Sequence, residues 1–246
     1  MTDESVVAES GLGQFERVAD TFVAPSATFT DILRSTSWWL PFLLMALATF
    51  GVAFAIDRQV GFEQVVETQI HLNPSQENQM SSMAPEDRAL QMQRMTVGYR
   101  YVTYASPLLV LGFAALGSLV LWASFNFGLG ARTTYAQILC LWMFANLPRL
   151  LAALVTIVTL CFGGSPENFD LKEPAGTNIG YYLPDVFPWL RTLLSFFDIV
   201  GIWVLVLLIL GGAIVAKVKI GQAAAVVIGW WLLVVLVSVA AAAAFS

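Results

Sequence analysis

The stretch LLSFFDIVGIWVLVLLILGGAIVA at 193–216 decides the fold, together with AAAVVIGWWLLVVLVSVAAAAAF at 223–245 and the short turn KVKIGQ between them. A helix rises about 1.5 Å per residue, so a hydrocarbon core of about 30 Å needs about 20 apolar residues. Both runs reach that length, and the polar turn is too short to do more than reverse the chain. Outward from this pair, three more runs of the same kind lie at 38–56, 102–126 and 135–162. The pattern predicts an all-α, polytopic membrane helix bundle with five transmembrane helices.

Composition agrees with that reading. Hydrophobic residues make up 58% of the chain and charged residues 12%, and the mean hydropathy is +0.73, outside the range of water-soluble domains. The net charge of −5 says little about partners, because the acids sit mostly outside the apolar runs. No basic cluster suggests nucleic acid, and no polybasic stretch suggests binding to acidic headgroups. Membrane lipids and a protein partner, a second copy of the chain among the candidates, are the expected contacts. The two cysteines, Cys140 and Cys161, both fall in the third run. On one helix they stand about 30 Å apart, beyond disulfide reach, and packing is their expected role.

Residues 1–37 are polar and acidic and carry no cleavable signal peptide, so the first span is expected to act as the insertion signal. The connections at 128–134 and 217–222 are short and carry Arg132, Lys217 and Lys219 without any acid. The loop at 57–101 holds four arginines among six carboxylates. Basic residues in short loops mark the cytoplasmic side. That bias puts the N-terminus in the cytoplasm and the C-terminus outside.

Ahead of the first span the sequence divides into a tail at 1–13, expected to be disordered, and two short amphipathic stretches at 14–37. In the first, Phe15, Val18, Ala19 and Phe22 fall at helical spacing, with Glu16, Arg17 and Asp20 opposite. After the break at Pro25, Phe29, Ile32 and Leu33 form a second stripe. Such helices either lie in the membrane interface or pack against the end of the bundle. Trp38 and Trp39 stand where aromatic residues anchor at headgroup level. Phe15, Phe22, Phe29, Ile32, Trp38 and Trp39 are thus the candidate surface for lipid or partner. Within the 57–101 loop, SMAPED at 82–87 reads as a helix start, with Ser82 as a cap, and the helix is expected to run on into the second span.

The third run is unusual. It contains Asn146, Leu147, Pro148 and Arg149 at mid-depth. Pro148 removes a backbone donor and is expected to kink the helix. Arg149 is costly at that depth and needs a carbonyl, a carboxylate or water. Asp198 is the nearest carboxylate in sequence, and the freed carbonyls of the broken helix are the other candidates. Asn146, Pro148, Arg149 and Asp198 therefore form the candidate intramembrane polar site. Gly211 and Gly212 in the fourth run and the alanines at 240–244 in the fifth read as places of close helix packing.

Enzyme chemistry is not visible. A single histidine, His71, excludes the HExxH zinc pattern and reads as a surface residue. No glycine loop for phosphates, no CxxC pair and no serine-centred glycine motif occurs, and nothing calls for a metal or a cofactor.

The segment PSATFTDI at 25–32, followed by WWLP at 38–41, resembles the entry motif of the Yip1 family of five-span membrane proteins, particularly its prokaryotic members. A second likeness runs through Phe197, Asp198, Ile199, Trp203, Leu210, Gly211 and AKVKIGQA at 216–223, similar to the family's junction between spans 4 and 5. Leu147, Pro148 and Arg149 resemble the break in its third span, and 85–93 resembles a helical insert of bacterial members. The likeness extends over about residues 20–245, making 38–246 a Yip1-like membrane domain. It implies five helices, a cytoplasmic N-terminus and non-enzymatic work. Eukaryotic relatives act in vesicle traffic and engage prenylated small GTPases. The short tail here carries nothing that marks a GTPase site, and the long first loop points to a bacterium and its cytoplasmic membrane. The expected function is the organisation of partner proteins or lipids. The alternative is a small transporter whose polar groups sit at the broken third span.

Overall fold

The computed structural model describes residues 11–162, 169, 171, 176–183 and 186–244. The tail at 1–10 and most of the stretch at 163–175 lie outside the described residues. Among those described, the secondary structure is helical, with twelve α-helices and no named strand. Five are long and apolar enough to cross a membrane: Trp39–Gln59, Ser106–Gly128, Tyr135–Phe162, Ile199–Ala216 and Ile220–Ala244. The protein is an integral membrane helix bundle.

The first span is α3 (Trp39–Gln59), and the second is α7 (Ser106–Ala123) with a wide turn of π-helix at Ser124–Gly128. The third span is two helices, α8 (Tyr135–Ala145) and α9 (Arg149–Phe162). The fourth is α11 (Ile199–Ala216) and the fifth α12 (Ile220–Ala244). α8 packs against α7 and α11, and α9 packs against α3. The third span is therefore the centre, and Ile138, Cys140, Leu141, Met143, Phe144, Ala145 and Leu147 are all fully buried. α12 lies at the rim: Leu232, Val234, Leu236 and Val237 remain exposed from the protein and meet lipid in a bilayer.

Close helix contact comes from small residues at one of the two expected places. A side chain at Gly211 would run into Leu141 and the Phe29 ring, and one at Gly212 would stand 2.8 Å from Phe125. The alanines at 240–244 do not pack in this way. All but Ala242 are exposed.

The two N-terminal helices, α1 (Gln14–Val23) and α2 (Pro25–Asp31), belong to the bundle. α2 packs on α11 and α1 reaches α3 and α8. Phe29 and Ile32 have no exposed surface, so both leave the candidate lipid-facing surface: Phe29 is inserted between α8 and α11 above Gly211. The polar side of α1 is corrected too. Arg17 and Thr21 face inward and are fully buried, while Phe15 and Val23 are 77% and 80% exposed.

On the opposite side of the bundle, the 57–101 loop forms a helical cap. α4 (Phe62–His71), α5 (Pro74–Ser81) and α6 (Pro85–Tyr104) pack around Val66, Ile70 and Met80, with Met83, Met92 and Met95 alongside. Pro85 opens α6 with Glu86 and Asp87 in its first turn, as the sequence suggests, but Ser82 caps nothing there. Its hydroxyl donates to the Gln79 carbonyl at 2.8 Å, closing α5. α6 also stops at Ala105 rather than running into the second span, because Pro107 starts α7 afresh. Arg100 and Tyr104 then tie the cap to the first span: Arg100 donates to both Asp57 oxygens at 2.8 Å and the Tyr104 hydroxyl donates at 2.9 Å. The hydrogen bond to Asp57 raises the Arg100 pKa, and burial followed by the same carboxylate pushes the Tyr104 phenol up. His71 sits at the surface with Nδ1 2.8 Å from Glu77.

Candidate functional site

The third span breaks where the sequence says it should. Pro148 cannot donate, and the chain passes through a tight turn in which Leu147, Arg149, Leu150 and Leu151 each bond to the carbonyl three residues back, at 2.9–3.1 Å. The amides of the turn thus engage the carbonyls of Phe144, Asn146, Leu147 and Pro148. Asn146 clamps the turn. Its Nδ2 donates to the Trp142 carbonyl at 2.8 Å, and its Oδ1 accepts from Arg149 Nε at 3.0 Å. Arg149 therefore neither caps the broken backbone nor pairs with Asp198. The four ion pairs among the described residues do not include that contact.

Asp198 has other work. The fourth span begins at Ile199, later than the apolar run suggests, and a separate helix α10 (Pro188–Ser195) precedes it. Asp198 is the N-cap of α11, accepting from Val200 N at 3.3 Å and Gly201 N at 2.9 Å. Its depth is that of a span end, which is why it stands away from Arg149.

Both residues nonetheless line one cavity of about 700 Å³ that runs between the mid-membrane break and the helical cap. Thr49, Gln69, Thr156 and Arg191 line it as well. A second, apolar pocket of about 300 Å³ adjoins it between α3, α7 and the third span, walled by Met45, Ala48, Val110, Phe113, Trp142 and Leu150. Thr49, Arg149 and Ala153 belong to both. Arg149 is exposed, at a depth where a guanidinium on an apolar helix costs about 2.5–3.5 kcal/mol. One hydrogen bond to Asn146 offsets part of that, and the cavity offers room for the rest.

A second polar centre was missed by sequence reasoning. The buried Arg17 side chain donates to the Ser35 carbonyl at 3.0 Å, the Ser37 carbonyl at 3.1 Å and Cys140 Sγ at 3.4 Å. Its Nε stands 3.4 Å from Asp31, an ion pair rather than an aligned hydrogen bond, and its carbon lies 4.6 Å above the Phe144 ring. The hydroxyls of Thr21 and Thr28 donate to its backbone carbonyl. Arg17 thereby stitches α1, α2, the 35–37 link and α8 into one body. Five of the six candidate surface residues follow from this docking. Phe22 packs edge-on against Trp203 at 5.8 Å, and Trp38 against Phe42 at 5.9 Å. Phe29 and Ile32 are internal, and Phe15 points away. Trp39, at the start of the first span, is half-exposed. Among the described residues no three His, Cys, Asp or Glu side chains gather as a metal site would need.

Five apolar spans around a broken central helix, closed at one end by a docked helix pair and at the other by a helical cap, define a polytopic helical membrane protein. A family profile described as the Yip1 domain matches residues 19–242. The chain belongs to the Yip1 family. No curated protein and no solved structure matches it.

Proposed function

We propose that this is a non-enzymatic membrane protein that organises partner proteins or lipids in a bacterial cytoplasmic membrane, with its N-terminus in the cytoplasm and its C-terminus outside. The observation that carries the reading is the docked helix pair. Arg17 fixes α1 rigidly to the bundle, yet Phe15 and Val23 stay exposed on it. Two apolar side chains held on a fixed platform, with the exposed Ala19 one turn from each, make a contact edge rather than a loose anchor. The short connections that bear Arg132, Lys217 and Lys219 lie at the same end of the bundle, which supports the orientation.

A photo-crosslinking residue at Phe15 or Val23, activated in native membranes, should give adducts with a discrete protein or with phospholipid. The same residue at the buried Thr21 should give none. Absence of adducts above background at both exposed positions would sink the reading.

One observation favours transport as a second reading: Arg149 and Asp198 line the same cavity at the broken span. Arg149→Ala in a transporter should abolish uptake of an anionic solute while the protein still inserts and folds. In an organising protein it should alter stability or nothing.

A further inference from the structure

We infer that the turn joining spans 2 and 3 and the turn joining spans 4 and 5 together form a binding site for a phosphate-class anion. A cavity of about 540 Å³ opens between them, with Leu33, Leu129, Arg132, Gln137, Val215 and Lys217 among its walls. Arg132 and Lys217 are its charged residues, and among the described residues no carboxylate lines it. Both side chains are exposed, and neither has an ion-pair or hydrogen-bond partner among the described residues. Gln137 adds a neutral donor: its Oε1 accepts from Thr134 N at 2.9 Å, which leaves Nε2 for a ligand. Leu33 brings the end of α2 to the cavity, but the carboxylate there is already compensated. Asp31 is 9% exposed and paired with Arg17 at 3.4 Å and Arg34 at 3.1 Å. The cavity thus keeps two uncompensated cations, a guanidinium fork and an ammonium, which suit the oxygens of a phosphate.

The backbone supports the same reading. Lys217 closes α11 at φ 54°, and it is the one non-glycine residue with positive φ among those described. Glycine or asparagine ends a helix in that conformation with less strain, so the chain carries a cation there at a conformational cost. Neither turn is polybasic by itself, and only folding brings the two cations to one cavity. Gly128 ends span 2, Tyr135 opens span 3 and Ala216 ends span 4, so the cavity lies at headgroup depth. A phospholipid phosphate of that leaflet and a soluble phosphate both reach it. This site goes beyond the organising role proposed above and does not rest on it, since adducts at Phe15 and Val23 report on other residues.

The test uses the purified, delipidated full chain in detergent. Dioctanoyl phosphatidylglycerol and dioctanoyl phosphatidylcholine are titrated by native mass spectrometry, and radiolabelled inorganic phosphate by equilibrium dialysis. Phosphatidylglycerol, inorganic phosphate or both should bind about tenfold or more tightly than the zwitterionic phosphatidylcholine. Binding of phosphatidylglycerol alone identifies a lipid headgroup as the source, and binding of phosphate identifies a soluble anion. Lys217→Asn removes the ammonium and suits the left-handed position better than lysine, so it should fold at least as well as the parent. Lys217→Asn and Arg132→Gln should each weaken the bound anion by about tenfold. Lys219→Gln, exposed in the same turn but outside the cavity lining, should change it by less than about twofold. A parent protein that binds neither anion more tightly than phosphatidylcholine overturns the inference. So does binding that survives both Lys217→Asn and Arg132→Gln, or that Lys219→Gln weakens as much as they do.

Discussion

Arg17 donates a hydrogen bond to Cys140 Sγ at 3.4 Å, joining a helix that precedes the membrane domain to its central span across 123 positions of sequence. The Cys140 thiol in turn lies 3.6 Å from the Ser37 carbonyl that Arg17 also engages. A residue on the polar side of an amphipathic stripe thus becomes the innermost group of the N-terminal pair.

Breaking a buried ion pair by removing one partner costs about 3–5 kcal/mol, and the cost here falls below that because Asp31 keeps Arg34 at 3.1 Å. Arg17→Ala should therefore undock α1 and α2 and lower the melting temperature in detergent. In a Cys161→Ser background, Cys140 is the sole thiol and is fully buried. It should resist maleimide in the parent and become labelled in Arg17→Ala. Unchanged protection would mean that the helix pair docks without Arg17.

Asn146→Ala removes both the clamp on the Trp142 carbonyl and the one acceptor that Arg149 has among the described residues. Hydrogen bonds to charged groups contribute about 1.5–3 kcal/mol. The variant should lose stability in that range by thermal unfolding, whereas Asn146→Asp, which keeps an acceptor for Arg149, should lose less.

Gly211→Val forces a branched side chain against Leu141 and Phe29. Overpacking of this kind costs about 1–3 kcal/mol and should loosen α2 from α11. Gly229→Ala meets nothing within 4 Å and should be neutral or slightly stabilising, since alanine is the better helix former. Unfolding curves of the two variants side by side check the contrast.

Asp198→Asn keeps a side chain able to cap α11, and Asp198→Ala does not. The alanine variant should be less stable by about 1 kcal/mol and the asparagine variant near the parent. If solute uptake were found and the asparagine variant abolished it, the carboxylate would have a role beyond capping.

The Tyr104 hydroxyl is held protonated by burial and by its bond to Asp57. A raised phenol pKa favours the folded cap below the ordinary tyrosine value. That contribution fades as pH climbs from there through the folded value. Asp57→Asn should bring the Tyr104 pKa part of the way back down, as read by ultraviolet titration against Tyr104→Phe.

Hydropathy reports what meets lipid, so the five spans and the break at Pro148 were legible in the sequence. The interior of the N-terminal pair was not. Burial of Arg17 depends on Asp31, two loop carbonyls and Cys140 converging in space, and no spacing within α1 announces that. Phe29 was misplaced for a related reason: an apolar stripe suits a lipid surface and a groove above Gly211 equally well. Two errors had readable signals. Asp198 followed by an apolar run is a helix-start pattern, and Pro107 marks a new first turn after Ala105. In both cases continuous hydrophobicity hid the punctuation.

The central claim, that a docked N-terminal platform organises other membrane components, is tested most directly by affinity capture of the tagged protein from native membranes in mild detergent. Co-purifying proteins and lipids would be identified by mass spectrometry for the parent and for Arg17→Ala. The account predicts a reproducible protein or lipid partner that is retained by the parent and lost when Arg17 is removed. A parent protein that emerges alone, or carries only a small soluble anion, would contradict it.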